Sequence, residues 1–137
     1  MIVDAKNLIA GRLASYVAKQ AILGNEMEII NVEHLIFTGS KKDVLKKHLQ
    51  RVARGHTYKG PFYERKEDKF FKRMLRGMLP YKQERGRLAL KRIKCHIGTP
   101  EDLKNKKTET IPEFNVKNTK TLKYIHLSEI CKLIGKK

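Results

Sequence analysis

The sequence has little that would cross-link the chain or anchor it in a membrane. Only two of its 137 residues are cysteines, Cys95 and Cys131, which are far apart and form no C-x-x-C pair. A disulfide framework is therefore not expected, and a cytoplasmic location is predicted. No run approaches the roughly eighteen apolar residues of a transmembrane helix, and the N-terminus lacks the basic and apolar regions of a signal peptide.

Acidic residues are also scarce. The chain has 14 Asp+Glu against 31 Lys+Arg, a net charge of +17. Because such a surface repels itself, its usual partner is a polyanion: RNA, DNA or an anionic membrane surface, of which the membrane is the weakest candidate here. The apolar content of 40% lies well above the disordered range, and the length suits one domain with its own core.

The positive charge is concentrated in the middle of the chain. Residues 1–39 carry a net charge of −1, residues 40–94 carry 19 Lys+Arg against 5 Asp+Glu, and residues 95–137 carry a net charge of +4. This distribution indicates a near-neutral fold-forming unit that carries a binding surface. A merely solvated basic face is the alternative.

The N-terminal third has the pattern of a βαβ unit. Met1–Asp4 and Met27–Val32 are short apolar runs typical of buried strands, and Gly11–Gly24 between them has helical periodicity. Such a unit implies a parallel sheet with helices packed on it. Ile93–Ile97 and Leu122–His126 are predicted as further strands.

A basic helix is predicted to begin at Ser40. The run S-K-K-D resembles a capping box, with Asp43 three residues after Ser40. Leu45, Leu49 and Val52 form its apolar stripe, so the helix can dock on the sheet while its cations face solvent.

Two more basic helices follow a loop at Gly55–Glu67. The first begins at Asp68 and has an apolar face; the second, Gln83–Arg92, places Leu88 and Leu90 inside. The apolar face of the first consists of Phe70, Phe71, Met74, Leu75 and Met78.

The end of the first of these helices reads KRMLRGMLP, at residues 72–80. We expect Met74, Leu75 and Met78 to hold it to the core, and Lys72, Arg73 and Arg76 to face outward as a phosphate clamp. Gly77 is expected to permit a close backbone approach, and Pro80 to end the helix.

The aromatic residues of the loop favour RNA over duplex DNA. Tyr58, Phe62 and Tyr63 lie among cations, and aromatic rings stack on the unpaired bases that folded RNA offers. The alternative, compatible with the first, is that these rings pack under the loop. Helix-turn-helix, zipper and zinc-finger patterns are lacking, which disfavours a DNA-binding architectural protein.

Catalysis and metal binding find little support. Thr38–Lys42 reads T-G-S-K-K, but a P-loop needs a glycine where His34 stands, and its lysine is displaced by one position. Cys95 and His96 are adjacent and would point to opposite faces of a strand, so they cannot share a metal. We therefore expect no cofactor and no metal, and a phosphate-handling enzyme remains only a rival reading.

The last part of the chain is predicted to be an extension. Residues 99–120 are polar and rich in lysine, which indicates a surface excursion. A short strand and a final helix capped by Ser128 complete residues 99–137. The core domain is then residues 1–98, with its basic face at 40–94.

Four segments resemble one family, the universal large-subunit ribosomal protein thirteen. They are V-D-A…G-R-L-A-S-x-V-A (Val3–Ala18), N-x-E-x-x-x-x-T-G (Asn31–Gly39), R-G-H-T-Y-K-G-P-F (Arg54–Phe62) and R-G-M-L-P (Arg76–Pro80). The resemblance extends over most of residues 1–98, and its details are closer to the archaeal and eukaryotic branch than to the bacterial one.

The resemblance implies a three-layer α/β/α fold with a mainly parallel four-stranded sheet. It implies a non-enzymatic constituent of the large ribosomal subunit that binds ribosomal RNA and neighbouring ribosomal proteins, helps assembly, and uses no small-molecule substrate. Some relatives repress messenger RNAs, so a free regulatory RNA-binding protein is the alternative.

Together, charge, loop composition and resemblance select a set of candidate RNA-binding residues. Cations are expected to neutralise phosphates, and His56, Tyr58 and Tyr63 to contact bases or sugars. The set is Lys41, Lys42, Lys46, Lys47, Arg51, Arg54, His56, Tyr58, Lys59, Tyr63, Arg65, Lys69, Lys72, Arg73, Arg76, Lys82, Arg85, Arg87 and Arg92.

Overall fold

The computed structural model describes residues 1–56, 58–120 and 122–135. Thr57 of the predicted loop lies outside the described residues, as do Thr121 and residues 136–137 of the predicted extension. The elements along the chain are β1 (Ile2–Asp4), α1 (Ala10–Ile22), β2 (Met27–Ile30), β3 (Ile36–Thr38), α2 (Lys41–Ala53), α3 (Glu67–Met78), α4 (Glu84–Lys91), β4 (Ile93–Cys95), β5 (Tyr124–His126) and α5 (Leu127–Leu133).

A parallel sheet in the order β1-β2-β4 forms the centre of the fold. Val3 lies opposite Ile29, and Ile29 lies opposite Cys95. Val3, Ile29 and Ile93 are fully buried, as expected for parallel strands whose two faces are both covered. The prediction of a single mixed α/β domain with a mostly parallel sheet is confirmed.

The strand predicted at residues 122–126 does not join the parallel sheet. It forms β5, which runs antiparallel to β3 with Phe37 opposite Ile125. The described residues thus form a three-stranded sheet and a separate two-stranded pair, where a single four-stranded sheet was expected. β3 is joined to the start of α1 by the bridge between Ile9 and Ile36.

The excursion at residues 99–120 closes the outer edge of β1. Glu109 exchanges backbone hydrogen bonds with that strand: its N–H donates to Ile2 (2.9 Å) and its carbonyl accepts from Asp4 (3.0 Å). Further along, the Phe114 ring packs edge-on against Tyr16 of α1, with centroids 5.9 Å apart. A covered edge offers no free backbone groups for pairing with other chains.

The final helix contributes to the same core as the sheet. Leu127, Ile130 and Cys131 are fully buried within the main hydrophobic cluster. The predicted cap at Ser128 is wrong: the N-cap residue is His126, and Ser128 lies inside α5. The helix begins earlier than predicted because Leu127 is anchored by a 2.8 Å hydrogen bond from its N–H to the carbonyl of Leu35.

Candidate nucleic-acid interface

The predicted cations lie on α2, α3, α4, the segments beside them and the loop between α2 and α3. Lys72, Arg73 and Arg92 are half-buried, and the others are exposed. We call the exposed set the basic surface: Lys41, Lys42, Lys46, Lys47, Arg51, Arg54, Lys59, Arg65, Lys69, Arg76, Lys82, Arg85 and Arg87.

Helix α2 buries His48, a residue that the predicted apolar stripe did not include. Leu49 of the expected stripe is 48% exposed, whereas His48 is buried. Leu45 and Val52 are half-buried and pack against the core. Ser40 is the N-cap residue as expected, but its side chain makes no capping hydrogen bond to a described residue. The inward face of α2 therefore consists of Leu45, His48 and Val52, with His48 buried in place of Leu49.

An aromatic cluster surrounds His48 and accounts for its buried position. Its ring lies 5.1 Å from that of Phe70 and 6.0 Å from that of Phe37, and a 2.8 Å hydrogen bond joins Nδ1 to the Tyr63 hydroxyl. Burial lowers the pKa of His48, and the nearby Arg51 guanidinium lowers it further. Burial also raises the pKa of the Tyr63 hydroxyl. His48 is therefore neutral in the fold, where it connects α2 to the loop and α3.

The loop between α2 and α3 is closed by a tight turn. The backbones of His56 and Gly60 exchange two hydrogen bonds of 3.0 and 2.9 Å. Gly55 has a φ of +100°, and a Cβ there would lie 2.3 Å from the Gly60 carbonyl oxygen, so only glycine fits. Tyr58, at the tip, is 86% exposed. The Tyr58 ring thus projects into solvent beside the paired backbones of His56 and Gly60.

Arg73 attaches this loop to α3. Its guanidinium donates a 2.5 Å hydrogen bond to the carbonyl of Phe62 and lies 5.2 Å from the centre of the Tyr63 ring. Arg73 therefore does not face fully outward as expected, and its contact with phosphate stays a prediction. Its charge is exposed only in part, and its geometry holds two loop residues in place.

Arg76, one turn further along α3, does face outward. Its guanidinium lies 5.2 Å from the centre of the Tyr81 ring. Met78 was expected to anchor this end, but it is 42% exposed. Leu75 and Leu79 are the buried residues there.

Glycine is required in α4 rather than in α3. A Cβ at Gly77 would meet nothing within 4 Å, so the close approach expected there is not made by the described chain. A Cβ at Gly86 would lie 2.2 Å from the carbonyl oxygen of Pro80. Gly86 and Ala89 are buried in α4, whereas Leu88 is exposed and Leu90 only half-buried, which corrects the predicted leucine face.

Two of the grooves on the basic surface share Arg73. The first, which we call the α3 groove, has a volume of about 440 Å³; its walls are Phe62 and Glu64 of the loop, Leu90 of α4, and Lys69, Lys72, Arg73 and Arg76 of α3. The second, of about 270 Å³, is lined by Arg51, Arg54, Pro61, Tyr63 and Arg73. Arg73 lies in both, so the cations of α2, the loop and α3 form one continuous surface.

Besides Tyr63 and Arg73, several predicted residues have partners within the chain, among them Lys41 and Arg92. Lys41 forms an ion pair with Glu129 of α5, and Arg92 donates a 3.2 Å hydrogen bond to the carbonyl of Ala21 at the end of α1. Pairing with Glu129 draws Lys41 toward α5, which further weakens a phosphate-binding reading of Thr38–Lys42.

Other kinds of site find no support in the described residues. No cluster of three or more His, Cys, Asp or Glu side chains there could hold a metal ion. None of the helices in residues 1–56, 58–120 and 122–135 is long and apolar enough to cross a membrane.

Comparison with known proteins identifies the family. The family model described as Ribosomal protein L13 matches residues 1–102. The chain belongs to this family. It is 42% identical to the large ribosomal subunit protein uL13 of Methanosarcina barkeri over 99% of this chain and 98% of that one. It is 41% identical to the same protein of Methanopyrus kandleri (98% and 86%) and 37% identical to that of Methanococcus maripaludis (100% and 98%).

The family membership confirms the predicted resemblance, including its archaeal branch. The family and these relatives are ribosomal proteins rather than enzymes, in agreement with the non-enzymatic prediction. Sequence reasoning omitted two exposed aromatics from the candidate set: Phe62, which is 69% exposed, and Tyr81. Tyr81 directly follows the R-G-M-L-P segment. Its position next to the proline that was predicted to end a basic helix could have marked it as a candidate RNA-binding residue.

Proposed function

We propose that this chain is a structural constituent of the large ribosomal subunit, binds its ribosomal RNA through the basic surface, and supports subunit assembly in the cytoplasm. The observation that carries the proposal is the near end-to-end match to archaeal uL13 proteins. Neighbouring large-subunit proteins are its expected protein partners.

The charge distribution supplies the physical mechanism. Each lysine or arginine that neutralises a phosphate releases counterions, so many exposed cations give strong, salt-dependent binding. Residues 40–94 hold 19 of the 31 cations, most of them exposed. The sheet and α1 provide a rigid support beneath them, which reduces the entropy lost on binding.

Within this surface we assign two kinds of role. The exposed cations contact phosphates, and His56 and Tyr58 at the loop tip contact bases or sugars. Tyr63 and Arg73 have their polar groups engaged within the chain, so we assign them mainly to holding the loop in its binding shape.

Sedimentation of cell extract through a high-salt gradient tests the proposal. About one copy of the chain per large subunit, retained in salt, is the expected result. If the chain remains at the top of the gradient, it is not a built-in component, and a free RNA-binding regulator becomes the better account.

Charge reversal tests the location of the RNA surface. Lys69→Glu with Arg76→Glu should weaken RNA binding and reduce the slope of log affinity against log salt by about 2, because two phosphate contacts are lost. Lys6→Glu with Lys19→Glu, in the near-neutral third, is the matched control and should leave that slope unchanged. Equal effects of the two pairs would contradict a localised surface.

A further inference from the structure

The α3 groove has a composition that phosphate binding alone does not explain. Besides its cations, it contains an exposed aromatic ring, a leucine and a carboxylate. Phosphate contacts need only the cations. The other three side chains suggest that something apolar with hydrogen-bond donors occupies the space between them.

We propose that the α3 groove binds a single unpaired guanine nucleotide of the RNA. This inference rests on the proposed function, since it names the element of RNA that the basic surface receives. The groove's volume of about 440 Å³ lies within the range of pockets that hold small organic ligands.

Phe62 and Leu90 provide apolar surface for the base. The Phe62 ring is 69% exposed, although its backbone carbonyl is held by the Arg73 guanidinium at 2.5 Å. Leu90 of α4 is half-buried and lies on another wall of the same groove. An aromatic ring exposed on a fixed backbone is suited to stacking, because little of its freedom is lost when the base arrives.

The cations of α3 are placed for the phosphates on either side of that nucleotide. Lys69, Lys72 and Arg76 are spaced at i, i+3 and i+7, which puts them on one face of the helix. A row of this kind follows a backbone, and the base of an unstacked nucleotide can then turn inward.

Glu64 gives the groove its choice of base. A carboxylate only accepts hydrogen bonds, and no ion pair joins Glu64 to a cation of the described residues. Guanine presents two adjacent donors, N1–H and the N2 amino group, on its Watson–Crick edge. Adenine, cytosine and uracil each place an acceptor beside their donor, so they cannot satisfy both oxygens of the carboxylate.

The test uses the full chain and five RNA hairpins of identical stem. One is fully paired, and the others carry a single bulged G, A, C or U. Binding is measured by fluorescence anisotropy at one near-physiological salt concentration. The bulged-G hairpin should bind about tenfold or more tighter than the paired one and several-fold tighter than the other three bulges.

Two variants separate the contribution of stacking from that of base selection. Phe62→Ala should lose the preference for a bulge, and Glu64→Gln should keep that preference but lose the selectivity for G. The matched controls are Leu23→Ala, at a side chain 67% exposed on the N-terminal third, and Glu26→Gln at an exposed carboxylate. Both controls should behave as wild type, and circular dichroism checks that each variant folds.

The outcomes distinguish this inference from the proposed function. Salt-dependent binding of all five hairpins with equal affinity overturns the guanine site and leaves the ribosomal role intact. Bulge preference that persists in Phe62→Ala also overturns it. Competition by guanosine monophosphate at the same concentration as the bulged RNA would show a free-nucleotide site instead. Absence of binding to every hairpin counts against both proposals.

Discussion

Gly77 is the penultimate residue of α3, where glycine costs stability without any visible benefit to the fold. Its side-chain position faces open space, since an added Cβ meets nothing within 4 Å. Alanine is favoured over glycine in a helix interior by about 1 kcal/mol. The reason is that glycine has more backbone freedom in the unfolded chain and loses more of it on folding. Because Gly77 lies in the last turn, Gly77→Ala should raise the free energy of unfolding by at most about 1 kcal/mol and the melting temperature by at most roughly 4 °C.

Gly86 in α4 provides the matched opposite case. The same substitution would place a Cβ 2.2 Å from the Pro80 carbonyl oxygen and 3.0 Å from the backbone nitrogen of Tyr81. Because the obstructing atoms are backbone, α4 must move away from the end of α3. Overpacking of this kind costs about 1–3 kcal/mol, which equals or exceeds the gain in helix propensity, so Gly86→Ala should lower the free energy of unfolding.

Urea unfolding followed by circular dichroism measures both effects, with the free energies obtained by linear extrapolation. The change in the free energy of unfolding is expected to have opposite signs for the same substitution at these two helical glycines. This expectation is refuted if Gly77→Ala destabilises the chain, or if Gly86→Ala is as stable as wild type. Unequal denaturant slopes would show that a variant alters the unfolded state instead.

Three further predictions concern His48, Tyr63 and the two cysteine thiols. The pKa of His48 is lowered in the fold. Its contribution to the free energy of unfolding is therefore fully present above about pH 6.5 and is lost as the pH falls through the folded pKa, with a slope of at most about 1.4 kcal/mol per pH unit. His48→Gln should flatten this pH dependence, whereas His34→Gln, at an exposed ring, should leave it unchanged. Tyr63→Phe should cost about 1 kcal/mol by removing the hydrogen bond to His48, and thermal unfolding that matches wild type would contradict this. Burial raises the pKa of Cys95 to about 12, and Cys131 is fully buried. Iodoacetamide at pH 8 should therefore label both thiols at least about a hundredfold faster in urea than in the native state. Rapid labelling of the native chain would show that the thiols are open to solvent.

Local pattern predicted most of the elements because their causes are local. The apolar run at Met27–Val32 and the helical spacing at Gly11–Gly24 indicate a strand and a helix whatever lies elsewhere. The structure has β2 at Met27–Ile30 and α1 at Ala10–Ile22. The predicted strand at Leu122–His126 was also found, but its partner, β3, lies far away in sequence, and a periodicity cannot select among distant partners.

The inward faces of the basic helices were harder to predict. In α2 the buried residue is His48 rather than Leu49, because Phe37, Tyr63 and Phe70 converge on it from three separate segments. The hydrophobicity of a leucine gives no information about such a pocket. Apolar spacing is a weak guide to the inward face where few positions are apolar and a polar ring finds a complete set of contacts.

The sequence by itself determined the class of fold, the separation of a near-neutral unit from a strongly basic one, and the family. These follow from short-range periodicity, from charge counts and from motifs that can be recognised in linear order. Only the tertiary structure decided that Arg73 holds the loop, that Gly86 must be small beneath Pro80, and that Phe62, Glu64 and Leu90 line one groove with the cations of α3. Each of these depends on distances between segments that the chain brings together only when the whole core has formed.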